Sequence, residues 1–329
     1  MARKKAGKKG KVIGAVAAVS AGAMGLFGFM TRFAIGTSRK GTMIGTLITN
    51  REKERAEMEA KGEVGEPWDE YVKQQKVWFK ENAESLWLTS EHDVRIHAWK
   101  IMNPASGHRY AIVCHGYSSA PVEMAGHCRK FYDRGYSVYV PAAKGHEETG
   151  TKMTGMGWVD RIYLMQWIDE ILMDDPEAMI LLYGESMGAA WVMMTSGEDL
   201  PENVKCAVED CGYTSAWDEF KYHLKSDFKL PAFPIMHAAN VMSKVFGGFS
   251  FKEASALKAV ARTKLPMLFI HGESDTFVPF EMLEPLCEAY GGPYKEKITV
   301  PGAGHVRSVA VLGQEYWDRV FEFTDRFMV

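Results

Sequence analysis

Short apolar runs alternate with segments of helical periodicity from about residue 85 to the end of the chain. Apolar residues recur at helical spacing in segments such as 122–134 and 158–173. The apolar runs are 85–89, 94–101, 110–114, 137–140, 178–183, 204–208, 266–270 and 297–300. Strands that alternate with helices are typical of a mostly parallel sheet covered on both faces, so the pattern predicts an α/β fold.

One long segment interrupts this alternation. Residues 213–263 lie between two of the apolar runs and are too long for a simple crossover. Several large apolar residues, among them Tyr222, Phe233 and Phe246, occur within the segment. We interpret it as a mainly helical lid over a site at the carboxyl ends of the strands, where such sheets bind their ligands. A long packed crossover is the alternative.

The first part of the chain is basic, and an uncharged segment follows it. Six lysine and arginine residues lie in 1–11, and residues 12–31 carry no charge. At about 1.5 Å per residue such a run can cross a bilayer core of about 30 Å. We predict a single-pass transmembrane anchor in the cell membrane within residues 1–35, with the rest of the chain on the extracellular side. A cleaved signal peptide and a helix of a cytoplasmic protein are the alternatives.

Residues 36–84 are predicted to form a helical connector, and residues 85–329 the sheet-containing domain. Within the connector, apolar residues at helical spacing in 67–81 predict a helix that packs on that domain. The sequence leaves the oligomeric state open.

The composition narrows the range of functions. The chain has 329 residues, of which 47% are hydrophobic and 25% charged, as in globular proteins. A net charge of -3 gives no reason to expect a nucleic-acid partner. The five cysteines are odd in number and scattered, which fits neither a disulfide framework nor a metal site. No phosphate-binding motif occurs either, so no metal or organic cofactor is expected.

The segment Gly184-Glu185-Ser186-Met187-Gly188 matches the pattern Gly-x-Ser-x-Gly. An apolar run precedes it and a helical pattern follows it, which is the strand, turn and helix that a nucleophilic serine requires. The tight turn favours glycines and raises the hydroxyl above the sheet at a helix N-terminus, where a developing anion is stabilised. Ser186 is therefore the candidate nucleophile.

A serine nucleophile needs a base, and the base needs an acid that orients it. His305 follows the last apolar run, and Asp275 follows the run before it, so both are expected at the same edge of the sheet as Ser186. Glu273 and Asp210 are alternative acids. The oxyanion needs two backbone N–H donors, for which we predict Met187 and Tyr117.

In the order and spacing of these motifs, the chain resembles the α/β-hydrolase superfamily. Within it, the chain is similar to bacterial prolyl-oligopeptidase-like and serine-aminopeptidase-like esterases with an N-terminal membrane anchor. The resemblance covers about residues 70–329 and implies an eight-stranded sheet, a helical lid after the sixth strand, and hydrolysis of an ester, thioester or amide. It departs from the family at 142–147, where the usual Asp and Arg are missing and Glu147 follows Gly145-His146.

We therefore expect a serine hydrolase, in the first place a carboxylesterase that acts on a small-molecule ester through an acyl-serine intermediate. A peptidase or an acyltransferase on the same residues is the second hypothesis. A membrane-tethered binding protein with a vestigial site is the third.

Overall fold

The computed structural model describes residues 67–90, 93–117, 119–147, 149 and 153–329. Within these residues the strands are β1 (Glu84–Thr89), β2 (Arg95–Ile101), β3 (Arg109–Cys114), β4 (Ser137–Pro141), β5 (Met179–Glu185), β6 (Val204–Asp210), β7 (Met267–Gly272) and β8 (Lys295–Val300). The α-helices are α1 (Pro67–Asn82), α2 (Ala125–Asp133), α3 (Asp160–Asp174), α4 (Met187–Ser196), α5 (Ala216–Ser226), α6 (Ala232–Met242), α7 (Ala256–Val260), α8 (Leu283–Ala289), α9 (Ser308–Leu312) and α10 (Gln314–Asp325).

All of these strands belong to one sheet, in the order β1-β2-β4-β3-β5-β6-β7-β8. β2 pairs antiparallel with β1 and with β4, and every other neighbouring pair is parallel. The predicted eight-stranded, mostly parallel sheet is confirmed. The strands differ from the predicted apolar runs by one or two residues at their ends, because the backbone ladder continues through polar residues such as Glu185 and Asp210.

The central strands place alternate side chains in two hydrophobic cores, one on each face of the sheet. In β5, Ile180 and Leu182 belong to one core, and Leu181 and Tyr183 belong to the other. The helices α3 to α8 contribute to the first core, and α1, α2, α9 and α10 contribute to the second. Because both faces are covered, the central strands appear in the sequence as nearly continuous apolar runs.

The sheet order creates a crevice beside the carboxyl end of β3. This strand lies between β4 and β5, so the chain leaves it on one side and later returns on the other. Connections that diverge in this way leave a crevice at the carboxyl ends of parallel strands. Gly116, after β3, and Ser186, after β5, meet there: a Cβ atom on Gly116 would lie 3.5 Å from Ser186 Cβ.

The helix α1 lies where the sequence predicts a helix, at 67–81 of the connector. Its Asp69 forms a bidentate ion pair with Arg307, in which both N–O distances are 3.1 Å. Its Trp68 packs on Trp317 of α10 at a ring separation of 6.0 Å. These contacts hold α1 against α10 and against the loop that carries His305.

The predicted anchor at 1–35 and residues 36–66 of the predicted connector lie outside the described residues, and both stay predictions. No helix in the part of the chain that the structure describes is long and apolar enough to cross a membrane.

The insertion after the sixth strand is helical. It contains α5, α6, a π-helical turn at Ser243–Gly247, and α7. Met236 and Ala239 of α6 are buried, whereas Phe233, Val245 and Phe246 are exposed. The segment thus packs on the domain by one side and presents apolar side chains on the other. Its role as a lid remains a prediction.

Candidate active site

Ser186 occupies a strained turn between β5 and α4. Its backbone has φ 57° and ψ -119°, which side-chain-bearing residues rarely adopt. The Ser186 N–H donates to Asp210 O at 2.9 Å, which ties the turn to the end of β6. A Cβ on Gly184 would collide with the backbone of Gly188, and one on Gly188 with the carbonyl of Cys114. The two glycines therefore allow the close approach of strand and helix that positions the serine.

We expect Gly188→Ala to destabilise the protein by about 3 kcal/mol or more, because overpacking costs about 1–3 kcal/mol even where side chains can yield. Here the added methyl group would meet backbone atoms of β3. Urea unfolding measures the loss. Gly304→Ala is the control, since its Cβ would meet only Arg307 Cγ, at 3.9 Å. Equal unfolding midpoints for the two variants would contradict the proposed clash.

Three of the predicted site residues form one chain of hydrogen bonds. His305 Nε2 lies 2.8 Å from Ser186 Oγ, and His305 Nδ1 lies 2.7 Å from Asp275 Oδ2. An ionised carboxylate only accepts, so Nδ1 carries the proton and Nε2 is left to accept from the serine hydroxyl. Ser186 and Asp275 are buried and His305 is half-buried.

The carboxylate of Asp275 is held in its ionised form by its surroundings. Its Oδ1 accepts the N–H groups of Phe277 and Val278 at 2.8 and 3.1 Å. Burial by itself would raise the pKa of Asp275, but His305 and His271 outweigh that effect and hold the pKa below its usual value. A charged group with this orientation can stabilise an imidazolium on His305.

Two further residues, His271 and Phe277, contact the predicted site residues, and neither was predicted from the sequence. His271 Nε2 lies 3.0 Å from Val278 O and 3.4 Å from Asp275 Oδ2, so it braces the loop and the carboxylate together. Phe277 stacks on His305 with ring centroids 4.8 Å apart and planes at 28°. The local sequence indicates neither residue, because His271 lies in β7 and Asp275 in the loop that follows, where no regular spacing brings side chains together.

Neither alternative acid takes part in this chain of hydrogen bonds. Asp210 is fully buried, and its carboxylate accepts from Ser308 Oγ at 3.1 Å and Tyr316 OH at 2.9 Å. Glu273 is exposed on the loop after β7. The side chain of Asp210 therefore joins β6 to the C-terminal helices.

Asp210 makes a testable contribution to stability. Burial and the charge of Glu185 raise its pKa from 3.8 to about 7, although both hydroxyl contacts lower it. Folding thus favours the protonated acid, and the free energy of unfolding should fall as pH rises from about 4 to 7, by at most about 1.4 kcal/mol per pH unit.

We expect Asp210→Asn, which is neutral at every pH, to remove this part of the pH dependence. Urea unfolding between pH 4 and 8 measures it. The variant should resemble the parent near pH 4 and gain stability relative to it towards pH 8. Parallel curves for the two proteins would contradict the raised pKa.

The two predicted oxyanion donors belong to segments that adjoin Ser186 in the chain or in space. Met187 begins α4, and N–H groups in the first turn of a helix have no acceptor within that helix. Tyr117 follows Gly116, which lies against Ser186. The loop is braced by His115, whose Nε2 accepts the Ala143 N–H at 3.0 Å and whose Nδ1 donates to Gly116 O at 2.8 Å. Burial lowers the pKa of His115 to about 3, so the brace is neutral.

The chain is similar to known proteins in sequence and in structure. No family model matches the chain. It is 26% identical to the uncharacterised protein YqkD of Bacillus subtilis over 215 residues, which are 65% of this chain and 70% of that protein. The esterase Pf2001 of Pyrococcus furiosus superposes with a TM-score of 0.61 and 25% identity, over 75% of this chain and 92% of that one. The chain has the α/β-hydrolase fold. An acylaminoacyl peptidase of Pyrococcus horikoshii shares it, with a TM-score of 0.55 and 17% identity over 77% of this chain and 43% of that one.

The loop after β4, where the sequence lacks the Asp and Arg expected from the resemblance, is held by an acid at the start of α3. Asp160, at the start of α3, accepts the backbone N–H of Lys144 at 2.5 Å and of Gly157 at 2.9 Å. The Lys144 side chain reaches the inserted segment, with its Nζ 3.3 Å from Gly247 O. Glu147 turns away to β2, where its Oε2 lies 3.0 Å from both His97 Nδ1 and Trp99 Nε1.

A cavity of about 650 Å³ lies between the Asp275 loop and the helices α5 and α7 of the insertion. Thr214, Tyr222, Glu273 and Met282 line it together with Asp275, but neither Ser186 nor His305 does. We therefore do not assign it to the group that Ser186 would attack.

Within the described residues, Cys211, Asp275 and His305 offer ligand atoms within 4.8 Å of one another. Burial raises the pKa of the Cys211 thiol well above its usual value, which disfavours the thiolate that binds metals. His305 and Asp275 are also bonded to each other. We assign no metal to this group.

Proposed function

We propose that the chain is a serine hydrolase that cleaves carboxylic esters through an acyl-serine intermediate. The observation that carries the proposal is the unbroken chain of hydrogen bonds from Ser186 Oγ through His305 to Asp275. The esterase and peptidase that share the α/β-hydrolase fold support hydrolysis as the general activity and small molecules as substrates.

In the proposed reaction, His305 Nε2 takes the proton of the Ser186 hydroxyl while Oγ bonds to the ester carbonyl carbon. Asp275 stabilises the resulting imidazolium. The N–H groups of Met187 and Tyr117 would hold the oxyanion, assisted by the N-terminus of α4. His305 then gives its proton to the leaving alkoxide. In the second half, a water oxygen bonds to the acyl carbon while His305 takes a proton from that water. The bond from the acyl carbon to Ser186 Oγ then breaks, His305 returns the proton to Oγ, and the carboxylic acid is released.

A comparison of kcat/KM for esters and amides that share an acyl group distinguishes the esterase hypothesis from the peptidase hypothesis. We would compare p-nitrophenyl esters of acetate, butyrate and octanoate with the matching p-nitroanilides, and add aminoacyl p-nitroanilides as peptidase substrates. The proposal predicts that every ester is cleaved with a higher kcat/KM than its anilide. Faster cleavage of the aminoacyl anilides would contradict the esterase assignment and favour a peptidase on the same three residues.

A further inference from the structure

A second serine, histidine and carboxylate are connected in the same way on the β1–β2 hairpin. Ser85 Oγ lies 2.9 Å from His97 Nε2, and His97 Nδ1 lies 3.0 Å from Glu147 Oε2. The corresponding distances at Ser186 are 2.8 and 2.7 Å. The atoms are equivalent in the two sites: hydroxyl to Nε2, and Nδ1 to carboxylate.

The hairpin register explains how these residues meet. Trp87 pairs with His97, and Ser85 pairs with Trp99, so the four side chains share one face of the two strands. Glu147 reaches this face from the loop after β4, and the Trp99 Nε1–H also donates to its Oε2. The carboxylate is thereby fixed by two donors.

The imidazole of His97 is also held as the imidazole of His305 is held. Trp87 stacks on His97 with ring centroids 4.4 Å apart and planes at 27°, as Phe277 stacks on His305 at 4.8 Å and 28°. His97 is buried, whereas Ser85 is exposed. A fixed base therefore faces a hydroxyl that a ligand in solution can reach.

A purely structural role does not require this arrangement. The hairpin is already held by a ladder of six residue pairs. A serine hydroxyl activated by an oriented histidine is a nucleophile in chemical terms. The rings of Trp87 and Trp99 beside it would favour an aromatic group on the electrophile.

We propose that Ser85 is a second activated serine, which accepts an acyl group from an aryl ester or a phosphonyl group from a fluorophosphonate. With an aryl ester, Ser85 Oγ bonds to the carbonyl carbon and its proton passes to His97 Nε2. The bond from that carbon to the phenolate oxygen then breaks, and the proton moves from His97 to the phenolate. The products are acyl-Ser85 and a phenol. With a fluorophosphonate, Ser85 Oγ bonds to phosphorus while its proton passes to His97 Nε2, the P–F bond breaks, fluoride leaves, and His97 gives the proton to solvent.

This reaction should be slower than the one proposed for Ser186. Ser85 lies within an extended strand and not at the N-terminus of a helix, so the helix dipole does not assist the oxyanion. The Ser186→Ala variant therefore gives the cleanest background for the test. Labelling with a rhodamine fluorophosphonate, followed by peptide mapping, shows which serine carries the adduct.

In Ser186→Ala, we expect one slow adduct on Ser85. It should be absent in Ser186→Ala/Ser85→Ala and at least about tenfold slower in Ser186→Ala/His97→Gln, because a general base contributes about 10²-fold or more. Ser186→Ala/Ser106→Ala, which removes a hydroxyl on the turn before β3, should keep the adduct. Glu147→Gln in the same background should slow labelling as well. Thermal unfolding confirms that each variant is folded.

The idea is overturned if folded Ser186→Ala carries no adduct on Ser85, or if His97→Gln and Glu147→Gln both leave the labelling rate unchanged. This outcome is distinct from failure of the proposed function, which would appear as an unlabelled Ser186 in the parent protein.

Discussion

Replacing Ser186 with alanine should lower kcat for a p-nitrophenyl ester by about 10⁴-fold or more, as removal of a triad nucleophile does in serine hydrolases. The physical reason is that alanine leaves His305 with no hydroxyl to deprotonate, so the covalent route is closed. Steady-state hydrolysis of the ester measures the loss.

A double variant tests the same roles more strictly, because the two losses of kcat should not add. Because Ser186 and His305 act as a unit, Ser186→Ala/His305→Gln should be no slower than either single variant, within about threefold. Ser196→Ala is the matched control: its hydroxyl donates to Met193 O on the same helix, α4, away from the reacting atoms. Additive losses in the double variant, or a large loss in the control, would count against the proposed roles.

Asp275→Asn should lower kcat by about 10⁴-fold with little change in the fold, because an amide group can donate to His305 Nδ1 and so favours the wrong tautomer of the imidazole. The geometry at Asp275 is specific, since one carboxylate oxygen accepts two backbone N–H groups and the other accepts from His305. Hydrolysis of the same ester at neutral pH measures the effect.

Glu273→Gln is the matched control for this prediction. Glu273 lies two residues away on the same loop and is one of the two alternative acids on sequence grounds. It should retain activity within about threefold, as expected for a surface change that leaves the transition state untouched. A loss at Glu273 as large as that at Asp275 would mean that the acid has been assigned wrongly.

The fold was largely predictable because its determinants are local in sequence. The runs that became β3, β5 and β7 are apolar because both of their faces are covered. β5 and β7 also end at or next to glycines, Gly184 and Gly272, whose positions leave no room for a Cβ atom. The insertion after β6 was recognisable by its length. Its shape was not, because contacts such as Lys144 Nζ with Gly247 O join residues that are far apart in the chain.

The meeting of the three candidate residues was predictable because each of them follows a strand. Ser186, Asp275 and His305 each come just after a strand, and parallel strands end at a common edge. Phe277 against His305 and Asp160 beneath the loop after β4 depend on tertiary packing, which no spacing indicates. The same holds for Ser85, His97 and Glu147, which are brought together by hairpin register and one distant loop.

Covalent labelling of the parent protein tests the central claim most directly. A fluorophosphonate should form a rapid adduct that intact mass and peptide mapping place on Ser186, and p-nitrophenyl ester hydrolysis should stop as that adduct forms. In Ser186→Ala the rapid adduct should be absent. If the folded parent hydrolyses the ester while Ser186 stays unmodified, or if Ser186→Ala is labelled just as rapidly, then Ser186 is not the nucleophile.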